Sequence, residues 1–421
     1  MRLQLRTGAS RLALAGGVVA GVVLANGGAW AAEVTAAQRA TLFLEPSNVS
    51  GNKGITVFHP QTDVSGTFGS GVGIAAGYAV DIVSGATPRV FGVTADSAGR
   101  PVDAVSGATK FSDTRHQVHG GLSYSRTTAD VSASYSYGWE SDYRSHAVTV
   151  TTRSDLLDHI FTAGLSYTHN FDRVCDANNQ ETGGDPLSRA ALASSEHCFQ
   201  NDPDVTVRKL NIDAIEPSLT WAATPRLMLQ GGGTLQILDG FQSNPYRRVE
   251  LGSGGRRPQE TLPTLRQRYA VFLRAAYAMP SLRAAVHVAA RAYRDTWAVE
   301  AATAELTFQQ YLTRFLLWGV RGRAHAQRGA NFYRDAQDYR LHGPIGKYWT
   351  GDRELSPMRN FLVGGKLAYL RIPEAGQKSF VSELEVALKW EALFYDLDSK
   401  FAPNSDRNYA TIWQLAVSAR F

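Results

Sequence analysis

The sequence predicts an all-β protein. It reads as a transmembrane antiparallel β-barrel of 14 strands, or 16 if two further runs join the wall, behind a cleaved signal peptide. Three observations predict it. The chain opens on an export signal. It alternates apolar and polar residues through most of its length. It closes on an amphipathic strand that ends in Phe421. Alternation with period two places one residue set on each face of a strand, so a greasy outside and a polar inside can be written into one segment.

At the N-terminus, Arg2, Arg6 and Arg11 precede an apolar run from Leu12 to Leu24, and Ala29-x-Ala31 follows as a signal-peptidase pattern. The run is short for a spanning helix, so residues 1–31 are expected to be removed. Residues 32–70 are assigned to an N-terminal segment in the lumen or periplasm, and 71–421 to the barrel. Mean hydropathy is −0.21. No later stretch is apolar enough to span as a helix, yet 17 Tyr, 18 Phe, 8 Trp and 39 Gly are present. Aromatic girdles and alternating strands produce that profile. No basic cluster is interleaved with aromatics, which argues against a nucleic-acid partner.

The strand candidates are 71–83, 115–127, 130–141, 145–154, 158–170, 205–222, 226–238, 266–279, 281–294, 297–308, 313–327, 359–371, 380–395 and 408–421. A further run, Gly54–Gly66, makes the count odd if it spans. Either it lies in the lumen or Arg89–Ala95 supplies a sixteenth strand. Short turns fall near Thr128, Leu157, Pro225, Pro280 and 373–378. Long connections fall near 84–114, 171–204, 239–265, 328–358 and 396–407. Short turns on one side and long loops on the other are the expected barrel asymmetry. A soluble sandwich alternates too, with shorter strands. The last strand, with Thr411, Trp413, Leu415, Val417, Ala419 and Phe421 on one face, resembles the closing strand of outer-membrane barrels, whose ending serves the barrel-assembly machinery.

The inner faces carry charge. Leu384, Val386, Leu388, Trp390 and Phe394 oppose Glu383, Glu385, Lys389 and Glu391, and Leu316, Trp318 and Val320 oppose Arg321, Arg323 and His325. Arg283 and Arg291 face inward on the same reading. These residues form either a positive lumen that attracts anions or a ladder of ion pairs with the glutamates and Glu300. Cys175 and Cys198, the only cysteines, read as one loop disulfide in an exported chain. Glu140 and Asp142 lie two apart on a strand and share a face. They suit a cation or acid–base work, or a rim salt bridge with Arg144 or the lumen arginines. No nucleotide-binding loop, nucleophile elbow or zinc ligand set is present, so no metal is expected.

One phrase occurs twice. Asp81-Ile-Val-Ser-Gly-Ala-Thr87 returns as Asp103-Ala-Val-Ser-Gly-Ala-Thr109. It resembles the acceptor motif of bacterial flavin transferases, in which FMN is joined to the final threonine by a phosphoester bond. The resemblance implies attachment at Thr109 and Thr87, with Asp103, Asp81, Ser106, Gly107, Ser84 and Gly85 read by the transferase. The alternative is a pair of strand-end turns in which Ser-Gly breaks pairing and Asp caps it. Further phrases are Glu140-Ser-Asp142-Tyr143-Arg-Ser145, Arg321-x-Arg323-x-His325-x-Gln327-x-x-Ala330-Asn-Phe332-Tyr333 and Asp352-Arg353-Glu354-Leu355-Ser356. Together with the repeat they resemble a domain-of-unknown-function family of predicted outer-membrane barrels. Its members are often encoded beside a periplasmic FMN transferase, a thioredoxin-like protein and a small lipoprotein. Members often carry serine at the threonine positions. The resemblance implies a Gram-negative outer membrane, with lipid around the barrel and an extracytosolic redox scaffold. In that reading the cofactor carries the chemistry and the protein has no catalytic residues of its own. A passive channel or secretion pore without cofactor, and a structural partner of the lipoprotein, are the alternatives.

Overall fold

The computed structural model describes residues 33–46, 54–86, 91–95, 101–103, 110–178, 186–252, 255–373, 380–397 and 409–421. The signal peptide, Thr87, Thr109, Ser106, Gly107 and most of the loop expected at 396–407 lie outside them. In chain order the strands are β1 (Glu33–Glu45), β2 (Ile55–Thr67), β3 (Val72–Ala86), β4 (Phe91–Ala95), β5 (Pro101–Asp103), β6 (Lys110–Ser125), β7 (Ala129–Trp139), β8 (Tyr143–Leu156) and β9 (Phe161–Ala177). There follow β10 (Val205–Thr224), β11 (Leu227–Gly240), β12 (Leu265–Met279), β13 (Ala284–Asp295), β14 (Glu300–Tyr311), β15 (Leu316–Gln327), helix α1 (Ala336–His342), β16 (Met358–Arg371), β17 (Glu383–Leu397) and β18 (Tyr409–Arg420).

Sixteen of these strands close into one antiparallel barrel, with β1 paired to both β2 and β18. Closure leaves no sheet edge, and this strand number encloses a lumen too wide for side chains alone to fill. The expected 14 strands are all present. The two that complete the wall are β1 and β2, so the segment 32–70 contributes wall rather than a separate element. Arg89–Ala95 does not supply the sixteenth strand. Its residues 91–95 pair with 101–103 in a small separate hairpin that touches α1. The alternation of β1 was hidden because alanine sits on both of its faces and Phe43 points inward, against Leu362 and Leu393.

The outward rows are apolar and large, with Leu122, Val271 and Leu273 more than 60 % exposed. That is a lipid-facing wall. Among the described residues no helix is long and apolar enough to cross a membrane. Aromatic residues ring the wall near both ends. Phe161 stacks on Trp221 beside the short turns, and Trp139, Tyr137, His146 and Phe171 form a continuous stack towards the long loops.

Most of the largest fully buried side chains sit in the loops. Trp349, Tyr339, Gln259, Glu260, Val249 and Thr350 are fully buried, and all lie in the β11–β12 and β15–β16 connections. Leu262, Trp297, Val299, Phe332 and Leu355 form one cluster, and Val249, Leu251, Tyr339 and Trp349 another. The loops bond to one another through Thr261–Trp349 backbone pairing and through Gln259, which donates to Asp176 at 2.8 Å. They make an ordered cap on the long-loop end.

Candidate functional site

The charged wall runs over β12–β17. Arg321 on β15 donates to Glu305 on β14 at 2.6 Å and to Glu391 on β17 at 2.7 Å. It reaches two strands away because Gly364, its register partner on β16, has no side chain. A Cβ there would come within 2.6 Å of Glu391 Cγ and 2.5 Å of the Trp390 carbonyl. Lys389 adds a contact to Glu391 at 2.9 Å, and Lys366 pairs with Glu385 at 2.9 Å. This part of the lumen is the ion-pair ladder.

The neighbouring part is not. A cavity of about 1160 Å³ is lined by Arg153, Arg274, Arg291, Arg323 and His325 on the cationic side, with Glu216 and Glu305 as its carboxylates. Glu305 is already engaged by Arg321. Among the described residues, neither Arg291 nor Arg323 makes an ion pair, and the buried Nε of Arg323 has no hydrogen-bond partner. Across the cavity stand hydroxyls, including Thr151, Ser166, Ser218, Thr220 and Thr234. The ladder therefore takes in Arg321 and its glutamates, and Arg291 and Arg323 stand outside it.

Two sequence assignments need correction. Arg283 is not lumenal. It caps the tight turn between β12 and β13 with a left-handed backbone, φ 51°. Glu383 shares the inward face of β17 with Glu385 and Glu391, but at the strand's start it meets Arg420 at 3.5 Å rather than the lumen arginines. Glu300 likewise pairs at the opposite rim, with Arg328 at 3.1 Å.

At the long-loop rim, Glu140 and Asp142 occupy a tight β7–β8 connection rather than a strand. There they meet Asp113 of β6, with one oxygen of each within 4.8 Å of the others. Among the described residues this is the cluster that could close three carboxylates around a cation. Arg115 approaches Glu140 at 3.7 Å, and the expected partner Arg144 instead stacks on Phe199. Burial, with the Asp113 carboxyl beside it, pushes Glu140 up to about 7. Burial also raises Asp142. Sequence reasoning missed Asp113, because only the β6–β7 pairing brings it to the rim. Cys175 and Cys198 are disulfide-bonded, with Cα atoms 5.8 Å apart, and pack with Leu192.

The repeated phrase is described in its first copy and at the start of its second. Asp81 to Ala86 belong to β3, where Ser84 and Gly85 pair with Ser112 and Phe111 of β6. Asp81 points into the lumen and meets His59 Nδ1 at 2.7 Å. In the second copy only Asp103, the last residue of β5, is described. The last register pair of the β3–β6 ladder is Ala86 with Lys110, so the two threonines adjoin it on either side.

A family profile described as "Protein of unknown function (DUF3570)" matches residues 26–369. No curated protein matches the chain. A bacterial polysaccharide outer membrane secretin is similar at 10 % identity and TM-score 0.47, over 92 % of this chain and 98 % of that one. Pseudomonas aeruginosa OccD3 is similar at 9 % identity and TM-score 0.42, over 93 % and 91 %. Acinetobacter baumannii OccAB1 is similar at 8 % identity and TM-score 0.40, over 92 % and 96 %.

Proposed function

We propose that this chain, which belongs to the DUF3570 family of proteins of unknown function, is an outer-membrane channel whose lumen admits small anions. One observation carries the reading: Arg291 and Arg323 face a cavity of about 1160 Å³ without carboxylate partners. Fixed cations between low-dielectric walls concentrate anions, and rings of arginine select them in pores. The hydroxyl wall opposite offers donors that could replace part of an anion's hydration. The test is conductance in a planar bilayer under a potassium chloride gradient. The reversal potential should have the anion-selective sign, and Arg291→Gln with Arg323→Gln should move it towards zero. A cation-selective or non-conducting wild-type protein would overturn the reading.

A second reading is a redox scaffold carrying covalent FMN, formed with a periplasmic flavin transferase. The duplicated phrase favours it, because both threonines adjoin the same register pair at the root of one loop. The first copy does not fit an acceptor in the folded barrel. Its Asp81 is held by His59 and its Ser84 to Ala86 backbone is bound in β3. The second copy beyond Asp103 lies outside the described residues, so this objection bears on Thr87, and Thr109 is the acceptor tested first. Intact mass after co-expression with a flavin transferase tests it. A mass increment lost in Thr109→Val supports attachment, and an unchanged mass in the wild type ends it.

A further inference from the structure

We propose that the outward face of β8–β10, just beyond the aromatic girdle, binds the phosphate groups of a lipid in the long-loop leaflet. Three cations lie side by side there. Arg144 of β8 is the register partner of Arg173 on β9, and Arg173 is the partner of Lys209 on β10. Like charges directly opposite one another on a sheet are destabilising. A row of three therefore calls for a counter-charge.

The described residues do not supply it. Among the described residues, none of the three makes an ion pair. Asp213, lower on β10, is taken by Tyr167 Oη at 2.6 Å and His169 Nδ1 at 2.9 Å. Asp239 of β11 sits one row lower, opposite Asn211, and makes no ion pair with Lys209. Elsewhere at the same end the pattern differs. Arg328 and Arg294 flank Glu300, at 3.1 Å and 3.9 Å.

Height selects the ligand. The row lies about twelve residues beyond the Leu156–Phe161–Trp221 row that borders the short turns, and a tilted strand crosses the hydrocarbon in about 9–11 residues. The cations thus stand at headgroup level. Beneath them the same face carries His146, Phe171 and Asn211, then Val148, His169 and Asp213, then Val150, Tyr167 and Ile215, and then Thr152, Leu165 and Pro217. One amphiphile satisfies both surfaces, with acyl chains on the apolar rows and phosphate on the cations. Arginine binds phosphate through paired N–H groups, and lysine as a point charge. Arg144 is already oriented, because it donates to the Glu140 and Tyr143 carbonyls and lies 4.6 Å from the Phe199 ring of the disulfide loop.

The test uses the full barrel in detergent micelles and native mass spectrometry. The probes are a bis-phosphorylated glucosamine lipid, the same lipid after enzymatic dephosphorylation, and inorganic phosphate. Wild-type protein should retain the phosphorylated lipid about tenfold better than the dephosphorylated one, a preference that charge-assisted hydrogen bonds can supply. Arg173→Gln with Lys209→Gln should abolish the preference. Arg173→Lys with Lys209→Arg should keep most of it, as should Arg294→Gln with Arg328→Gln. If the neutralised pair does not assemble, as judged by loss of the heat-modifiable band, Lys209→Gln alone should still lower the preference. Equal retention of the two lipids, or an unchanged preference in the neutralised variants, overturns the proposal. So does inorganic phosphate that displaces the lipid at equal concentration, because the site would then recognise the anion without its chains.

Discussion

Glu260 ties the loop cap together, and its removal should loosen the cap while leaving the barrel intact. Its fully buried carboxylate accepts from Arg247 Nη1 at 3.0 Å, Thr350 Oγ1 at 2.5 Å and the Asn244 backbone N–H at 2.9 Å. Arg247 also meets Asp352 at 3.1 Å. Glu260→Leu strips these acceptors and leaves the guanidinium with one carboxylate. Breaking a buried pair from one side costs about 3–5 kcal/mol. Arg247 keeps Asp352 and its side chain is 22 % exposed, so about 2–3 kcal/mol is the better figure. At about 1.4 kcal/mol per factor of ten, that is roughly a 30- to 150-fold loss of protection. The assay is native-state hydrogen exchange on the folded protein in detergent. The Thr261 and Trp349 amides, which bond to each other's carbonyls, should speed up by that factor. Amides in β17 should not, because the cap opens as a local unit. Adding Arg247→Met should recover part of the loss, since a buried pair replaced on both sides is tolerated far better than a broken one. Loop exchange unchanged in Glu260→Leu, or loss of the heat-modifiable barrel with it, would refute the assignment of Glu260 to an independent cap.

Three further outcomes are expected. Glu140 is raised to about 7, so its folded form prefers the proton, and the rim it belongs to should be most stable in mild acid and weaken as pH rises from about 4.5 through 7. Protection factors of the β7–β8 amides, taken relative to intrinsic exchange at each pH, should therefore be higher at pH 5 than at pH 8, and Glu140→Gln should flatten the difference. Breaking the Cys175–Cys198 bond opens a loop of 23 residues, for which chain entropy predicts about 3 kcal/mol. Proteolysis of 178–204 should accelerate while outer-membrane fractionation persists. Leu388→Arg on the lipid face should cost roughly 2–4 kcal/mol if it lies near the midplane, read as a lower denaturant midpoint in detergent or lipid.

The barrel was legible because its wall obeys a local rule. In the central stretches of β17 and β15 the charged residues keep to one face and the large apolar ones to the other. Leu384 to Phe394 and Arg321 to His325 therefore announce their sides without knowledge of any neighbour. The rule fails where both faces accept small side chains, as at Ala36, Ala37 and Ala40 of β1. It also fails for Arg283, which the alternation would turn inward but which a left-handed turn takes out of the wall. The cap was illegible for a different reason. Its organising contacts join residues far apart in the chain, such as Gln259 with Asp176 and Glu260 with Thr350. A long connection rich in polar residues reads as a loop, and no local pattern distinguishes it from a folded cap. The rim carboxylates fall between these cases. Glu140 and Asp142 stand out in the sequence, but Asp113 joins them only through the β6–β7 register. The unpaired state of Arg323 and Arg291 depends on which glutamates the neighbouring arginine has already engaged.

The repeated phrase poses a separate problem, because one sequence occurs twice and its first copy is a strand of the wall. In β3 its residues bond to β2 and β6, and its aspartate meets His59. A wall requirement accounts for that copy alone. It does not account for the same Val-Ser-Gly-Ala-Thr order in a second copy, whose residues after Asp103 lie outside the described ones. Something that reads the first copy must read the chain before β3 pairs with its neighbours, since pairing ties up its backbone. If a flavin transferase is that reader, the order of events has a measurable consequence. Unfolded chain presented to the transferase should be labelled at both threonines. Barrel folded beforehand should be labelled at Thr109 alone, because the strand holds the approach to Thr87. Equal labelling of Thr87 in the two preparations would show that the β3 copy remains accessible and would remove the argument for modification before assembly.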